Sequence, residues 1–180
     1  MTRVADEAEL AEACAVLEDV MGEVGERPCP PGALRTACAT ARAAIAGAEP
    51  PFDTMAVAAG LEPEELPDDD VELWLALAAG VVGDAAGPTA ELGLLEWLSA
   101  VAALTLWGPG TQADPPALAL CVSEAAEGEA DALILETAFV PVVQRWRALG
   151  ALEVTERLTP LGWWGLPEAQ RRAWGGKPRT

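Results

Sequence analysis

Hydrophobic positions recur at helical spacing along most of the chain. Leu10, Cys14, Leu17 and Met21 follow at steps of four, three and four, which aligns them on one face and predicts a helix over residues 5–21. Glu7, Glu12, Glu18 and Asp19 fall mostly off that stripe, and Gly22 and Gly25 end it. The proline-rich stretch 26–32 is a loop. Leu34, Cys38, Ala41 and Ile45 form the stripe of a second helix over 33–46, with Gly47 as its stop. After Pro50-Pro51, Asp53 or Thr54 can cap a short helix through Ala59, and Pro63 to Leu66 can add one more turn.

The middle of the chain changes texture. Asp68, Asp69 and Asp70 precede an apolar helix over 71–82, where carboxylates suit the positive end of the helix dipole. Thr89 is placed to cap a helix over 90–107 that is apolar almost all round, a pattern that belongs in the middle of a bundle. Asp114 before Pro115 is a start signal for a helix reaching about Ala126. A longer helix over 129–149 should kink at Pro141 and stop at Gly150. Residues 151–154, a turn at 155–157 and a return at 158–159 predict a short hairpin. Pro160 opens a helical turn, and Gly165 and Pro167 divide the remainder of the chain.

The expected fold is therefore all-α: a compact multi-helix bundle with a short C-terminal β-hairpin. Leu73, Trp74, Leu77, Leu95, Leu98, Val101, Ala102, Leu133 and Phe139 are its expected core. Residues 1–112 form an acidic helical part and 113–180 a distinct C-terminal part, packed as one unit.

Charge sharpens this picture. The formal net charge is -18 over 180 residues. No Lys or Arg occurs between Ala43 and Gln144, a stretch holding 18 Asp and Glu, while the flanks carry 11 acidic and 11 basic residues and cancel. Such a field repels nucleic-acid backbones and anionic membranes and attracts basic partners. The Ala-rich, Arg-over-Lys bias is that of a high-GC bacterial genome. His, Tyr and Asn are absent. Without His there is no Ser-His or Cys-His pair and no imidazole ligand. The four cysteines form no CxxC pair, and Cys14, Cys38 and Cys121 fall in apolar stretches as expected of buried free thiols. No metal, cofactor or catalytic residue is expected. No apolar run reaches the ~20 residues of a membrane helix, and residues 1–12 lack the apolar core of a signal peptide. A cytoplasmic protein is expected.

Two segments resemble known families. Arg147-Ala148-Leu149-Gly150-Ala151-Leu152-Glu153, a short gap, then Arg157-Leu158-Thr159-Pro160-Leu161-Gly162 resembles the helix-to-wing junction of winged-helix regulators. The resemblance implies a recognition helix over 129–149 and a wing after it. That helix departs from the family pattern. It leads with Glu129, Asp131 and Glu136 where a DNA-reading helix carries Arg or Lys, and Arg145 and Arg147 lie at its far end. Duplex DNA binding is therefore not expected. Asp68-Asp69-Asp70-Val71-Glu72 resembles the paired-carboxylate metal motif of terpene cyclases, but no Lys or Arg stands nearby in the sequence to hold a diphosphate, so a helix cap is expected there.

Seven Trp against two Phe is unusual, and Trp163, Trp164 and Trp174 crowd the C-terminus with Trp146 near. They either cover the end of the bundle or form an exposed contact patch. Arg171, Arg172, Lys177 and Arg179 either fold back onto the acidic middle or meet a partner. Trp163, Trp164, Trp174, Arg171 and Arg172 are the candidate partner-contact residues. The expected function is that of a non-enzymatic regulatory or scaffold protein acting through protein contacts. The alternative is an acidic inhibitor (antitoxin, immunity protein or nucleic-acid mimic) that blocks a basic site. The partner is a protein, and a homodimer is compatible with the pattern.

Overall fold

The structure, a computed structural model, describes residues 6–83, 92–125 and 132–175. These residues form eight helices: α1 (Glu7–Val24), α2 (Pro31–Ala46), α3 (Phe52–Ala58), α4 (Asp70–Gly83), α5 (Leu94–Trp107), α6 (Pro115–Ala125), α7 (Ala132–Ala148) and α8 (Pro160–Ala173). Most starts have a local cause. The Asp6 carboxylate accepts the Glu9 amide N–H at 2.8 Å while Glu9 accepts that of Asp6 at 2.9 Å, a reciprocal cap. Pro31 opens α2 where its missing N–H costs nothing. Asp69 accepts the Val71 amide at 2.8 Å ahead of α4, and Asp114 that of Ala117 at 2.9 Å ahead of α6. The Thr159 hydroxyl accepts from the Gly162 amide at 3.1 Å ahead of α8. Thr89 lies outside the described residues.

The helices share one apolar core. Helix α8 packs along α4 and touches α1 and α5, while α6 and α7 pair with each other. Leu73, Trp74, Leu77, Val101 and Phe139 are buried as expected, and Leu98 and Ala102 are half-buried. Leu95 and Leu133 are not core residues: they are 71% and 70% exposed. Helix α5 is correspondingly not central. It buries Trp97, Ala100, Val101 and Leu104 and turns Leu95 and Leu106 to the surface. A helix without a polar face carries no sequence cue to which side points outward.

Two further expectations are corrected. The hairpin over 151–159 does not form: among the described residues there is no β-strand, only isolated antiparallel bridges Leu152–Leu158 and Gln112–Arg157. The segment is too short for a ladder of its own, and its polar backbone is shared with the chain ahead of α6. Leu158 N–H donates to the Thr111 carbonyl and Gly110 N–H to the Leu158 carbonyl, each at 2.8 Å. Gly165 and Pro167 do not break the last segment either; α8 runs through both.

Candidate functional site

The continuity of α8 explains what surrounds it. Pro167 has no N–H, so the Trp163 carbonyl loses its helical partner. The Arg27 guanidinium, from the loop between α1 and α2, donates to that carbonyl and to the Trp164 carbonyl at 3.2 Å. A break in one helix is thereby mended from a distant loop. Gly162 and Gly165 are required by close approach: a Cβ at Gly162 would overlap the Ala151 carbonyl, and one at Gly165 the Trp74 ring. Trp74 is fully buried and its indole N–H donates to the Leu149 carbonyl at 2.8 Å, so α8 lies flat against the widest side chain of α4.

The five candidate contact residues all lie on or at the end of this helix, and the structure separates them. Trp174 and Arg171 are buried. Trp163 is half-buried and its indole donates to the Thr105 carbonyl at 2.9 Å. Trp164 is half-buried, with its ring 5.9 Å from that of Trp74. Arg171 binds Glu168 at 2.8 Å and reaches Glu18 of α1 at 3.5 Å. Arg172 forks onto both oxygens of Glu72 in α4 at 3.0 Å and lies 3.8 Å from Glu168. The bond from Arg172 holds the Glu72 carboxyl below its ordinary range. Arg172 thus folds back onto the acidic middle, whereas Arg171 turns to the N-terminal flank. Lys177 and Arg179 lie outside the described residues.

Trp164 and Arg172 open onto a groove of about 780 Å³ between α1, α4 and α8. Its apolar lining is Met21, Val71, Leu75 and Trp164; its charged lining is Glu26, Arg27, Glu72, Glu168 and Arg172. Both guanidiniums are engaged inside the molecule. Glu26 is exposed and has no ion-pair partner among the described residues. Glu12, Asp19 and Glu23 form an exposed row along α1, whose last turn is one wall of this groove.

A second surface lies on α7. Leu135, Ala138, Phe139, Val142 and Trp146 face the core, while Leu133, Ile134 and Val140 are exposed, as are Leu120 of α6 and Val154 at the tip of the turn after α7. No basic side chain accompanies them until Arg145, which is buried, and Arg147, which pairs with Glu156 at 3.6 Å. The carboxylates around the start of α4 do not converge. Asp69 caps the helix, Asp70 binds Arg42 at 3.2 Å and Glu72 binds Arg172. Among the described residues no three Cys, Asp or Glu side chains gather as a metal site would require. No described helix is long and apolar enough to cross a membrane. Cys14, Cys29, Cys38 and Cys121 are all free thiols. Burial pushes the Cys38 thiol up to about 11, which leaves it protonated near neutrality.

Sequence reasoning named Trp164 and Arg172 but not Arg27, Glu72 or Glu168 as their neighbours. Glu168 was within reach, since it precedes Arg171 and Arg172 by one helical turn. Arg27 and Trp163 are 136 residues apart, and no local pattern links them. No protein-family model, curated protein or solved structure matches the chain.

Proposed function

We propose that the chain is a non-enzymatic regulatory or scaffold protein, cytoplasmic, that works through protein contacts made by a degenerate winged-helix end. The observation that carries this reading is the outward face of α7. In a winged-helix regulator this helix would present Arg or Lys to phosphates and base edges. Here it presents Leu133, Ile134 and Val140, with Val154 exposed beyond it. Helix α7 ends at Ala148, the chain turns at Gly150 and runs back over 151–159, and Pro160 opens the next helix. That order is the part of the resemblance on which the reading rests, since no paired wing strands form among the described residues, and the apolar face favours a protein partner over a nucleic acid.

The test is affinity capture from host lysate with the intact protein and with a Leu133→Glu/Val140→Glu variant. A protein retained by the first and lost by the second, at unchanged circular dichroism and melting temperature, is expected. Equal retention by both removes the α7 face from the reading. A gel-shift titration complements it: no complex with duplex DNA is expected at about 0.15 M salt, where phosphate contacts dominate affinity. A specific, salt-sensitive complex would return α7 to the DNA-reading class. A second reading, an acidic inhibitor of a basic site, is favoured by the row of Glu12, Asp19 and Glu23 on α1.

A further inference from the structure

The groove between α1, α4 and α8 is a different surface from the α7 face, and it has a different chemistry. Its accessible apolar surface is Trp164 and Val71, both half-buried, with the buried Leu75 and Met21 beneath them. Its cations are spoken for. Arg27 serves the Trp163 carbonyl left open by Pro167 and the Trp164 carbonyl beside it, and Arg172 is held in a fork by Glu72. Its anions are in part outward. Glu26 is exposed and unpaired among the described residues, and the Glu72 side chain is 52% exposed despite its bond to Arg172. The wall formed by α1 continues into the row of Glu12, Asp19 and Glu23.

From this we infer that the groove is the docking site for a cationic segment of a partner protein, one apolar side chain resting on Trp164 and Val71 and flanking Arg or Lys heads meeting Glu26 and Glu72. Charge selects the occupant. A second copy of a chain with net charge -18 would bring a like-charged α1 row to this rim, and an acidic segment would meet Glu26 first. A cationic segment gains from both, and an apolar floor gives it register that a bare acidic surface cannot. An arginine guanidinium lying over the Trp164 ring adds a cation–π contact.

The experiment uses a fluorescent peptide of alternating leucine and arginine, titrated with the full chain and followed by anisotropy. Two charge-matched variants locate the site. Glu26→Gln/Glu72→Gln removes two carboxylates at the groove, and Glu62→Gln/Glu64→Gln removes two from the exposed connection between α3 and α4. The groove variant is expected to weaken binding about tenfold and the other less than about twofold, since screening confines charge effects to about 8 Å at physiological salt. Trp164→Phe, which keeps a ring against Trp74, is expected to weaken binding with no change in its salt dependence. Equal weakening by both double variants would reduce the site to general polyanion attraction. Preferential binding of the leucine–glutamate counterpart would make Arg27 and Arg172 the recognition elements. Either outcome overturns the proposal. Because α7 is intact in every variant, these results are independent of the capture test on Leu133 and Val140.

Discussion

Helices α7 and α8 each carry an internal proline and each end on two arginines, yet α8 is clamped on several sides and α7 is left half bare. In α8 the proline's orphaned carbonyl is met by Arg27, and the terminal arginines reach Glu18 of α1 and Glu72 of α4. In α7 Arg145 donates back to the Pro141 carbonyl of its own helix at 3.2 Å, and Arg147 pairs with the following turn. One helix spends its polar groups on distant elements, the other on its own neighbourhood. The same ingredients produce a structural keystone in one case and an available surface in the other. Partner geometry, rather than composition, decides between them.

That contrast can be broken at several points. Trp74→Ala empties the site on which α8 lies and strands the Leu149 carbonyl. It is expected to cost about 3–5 kcal/mol in denaturant unfolding, whereas Leu133→Ala on the bare face of α7 should stay within about 0.5 kcal/mol. Comparable losses would show that α7 is as enclosed as α8. Gly165→Ala adds a methyl group where the Trp74 ring already sits and is expected to cost about 1–3 kcal/mol; a neutral result would mean that α8 does not approach α4 so closely. Arg27→Ala removes the donor at the break in α8, with an expected loss of about 1–3 kcal/mol. Arg27→Lys should recover only part of that loss, because an ammonium lacks the planar fork.

The smallest effect concerns the Arg172–Glu72 fork. The Glu72 carboxyl is held below its ordinary value in the folded state. Its contribution is therefore complete above the unfolded value of about 4.5 and disappears as the pH falls through the folded one. The pair is partly exposed, so Glu72→Gln should cost about 0.5 kcal/mol or less near neutrality. The difference from wild type should vanish in acid, once the pH lies below the folded value as well. A difference that persists there would assign the loss to packing instead of charge.

Much of this fold was legible in the sequence where a helix has two unlike faces. The stripe Leu34, Cys38, Ala41 and Ile45 is buried throughout, and of the first stripe Cys14, Leu17 and Met21 are buried with Leu10 half-buried. Asp114 caps α6 as its neighbour Pro115 suggested. Legibility failed where a helix is apolar on every side. Leu95 and Leu98 look equivalent in α5, and only packing against α1, α6 and α8 makes the first exposed and the second half-buried. It failed again at Gly165 and Pro167, which stop a helix judged by local propensity. Trp74 requires the one and Arg27 compensates the other, and both lie far away in the chain. For the candidate site, residue type pointed to Trp164 and Arg172, but the groove they line is made of loop and helix ends whose meeting is purely tertiary.

The position of α8 has a consequence for how the molecule is made. Seven of the described helices are synthesised before the one that packs against α1, α4 and α5. Until it arrives, Trp74 has no Gly165 against it, the Thr105 carbonyl lacks the Trp163 indole and the Arg27 guanidinium lacks its α8 acceptors. Closure then depends on contacts between Arg27 and Trp163, 136 residues apart, a separation that slows folding because loop entropy is lost before any contact is gained. A nascent chain halted before Pro160 would hold its helices around an open seam of tryptophan and leucine, the kind of surface that chaperones retain.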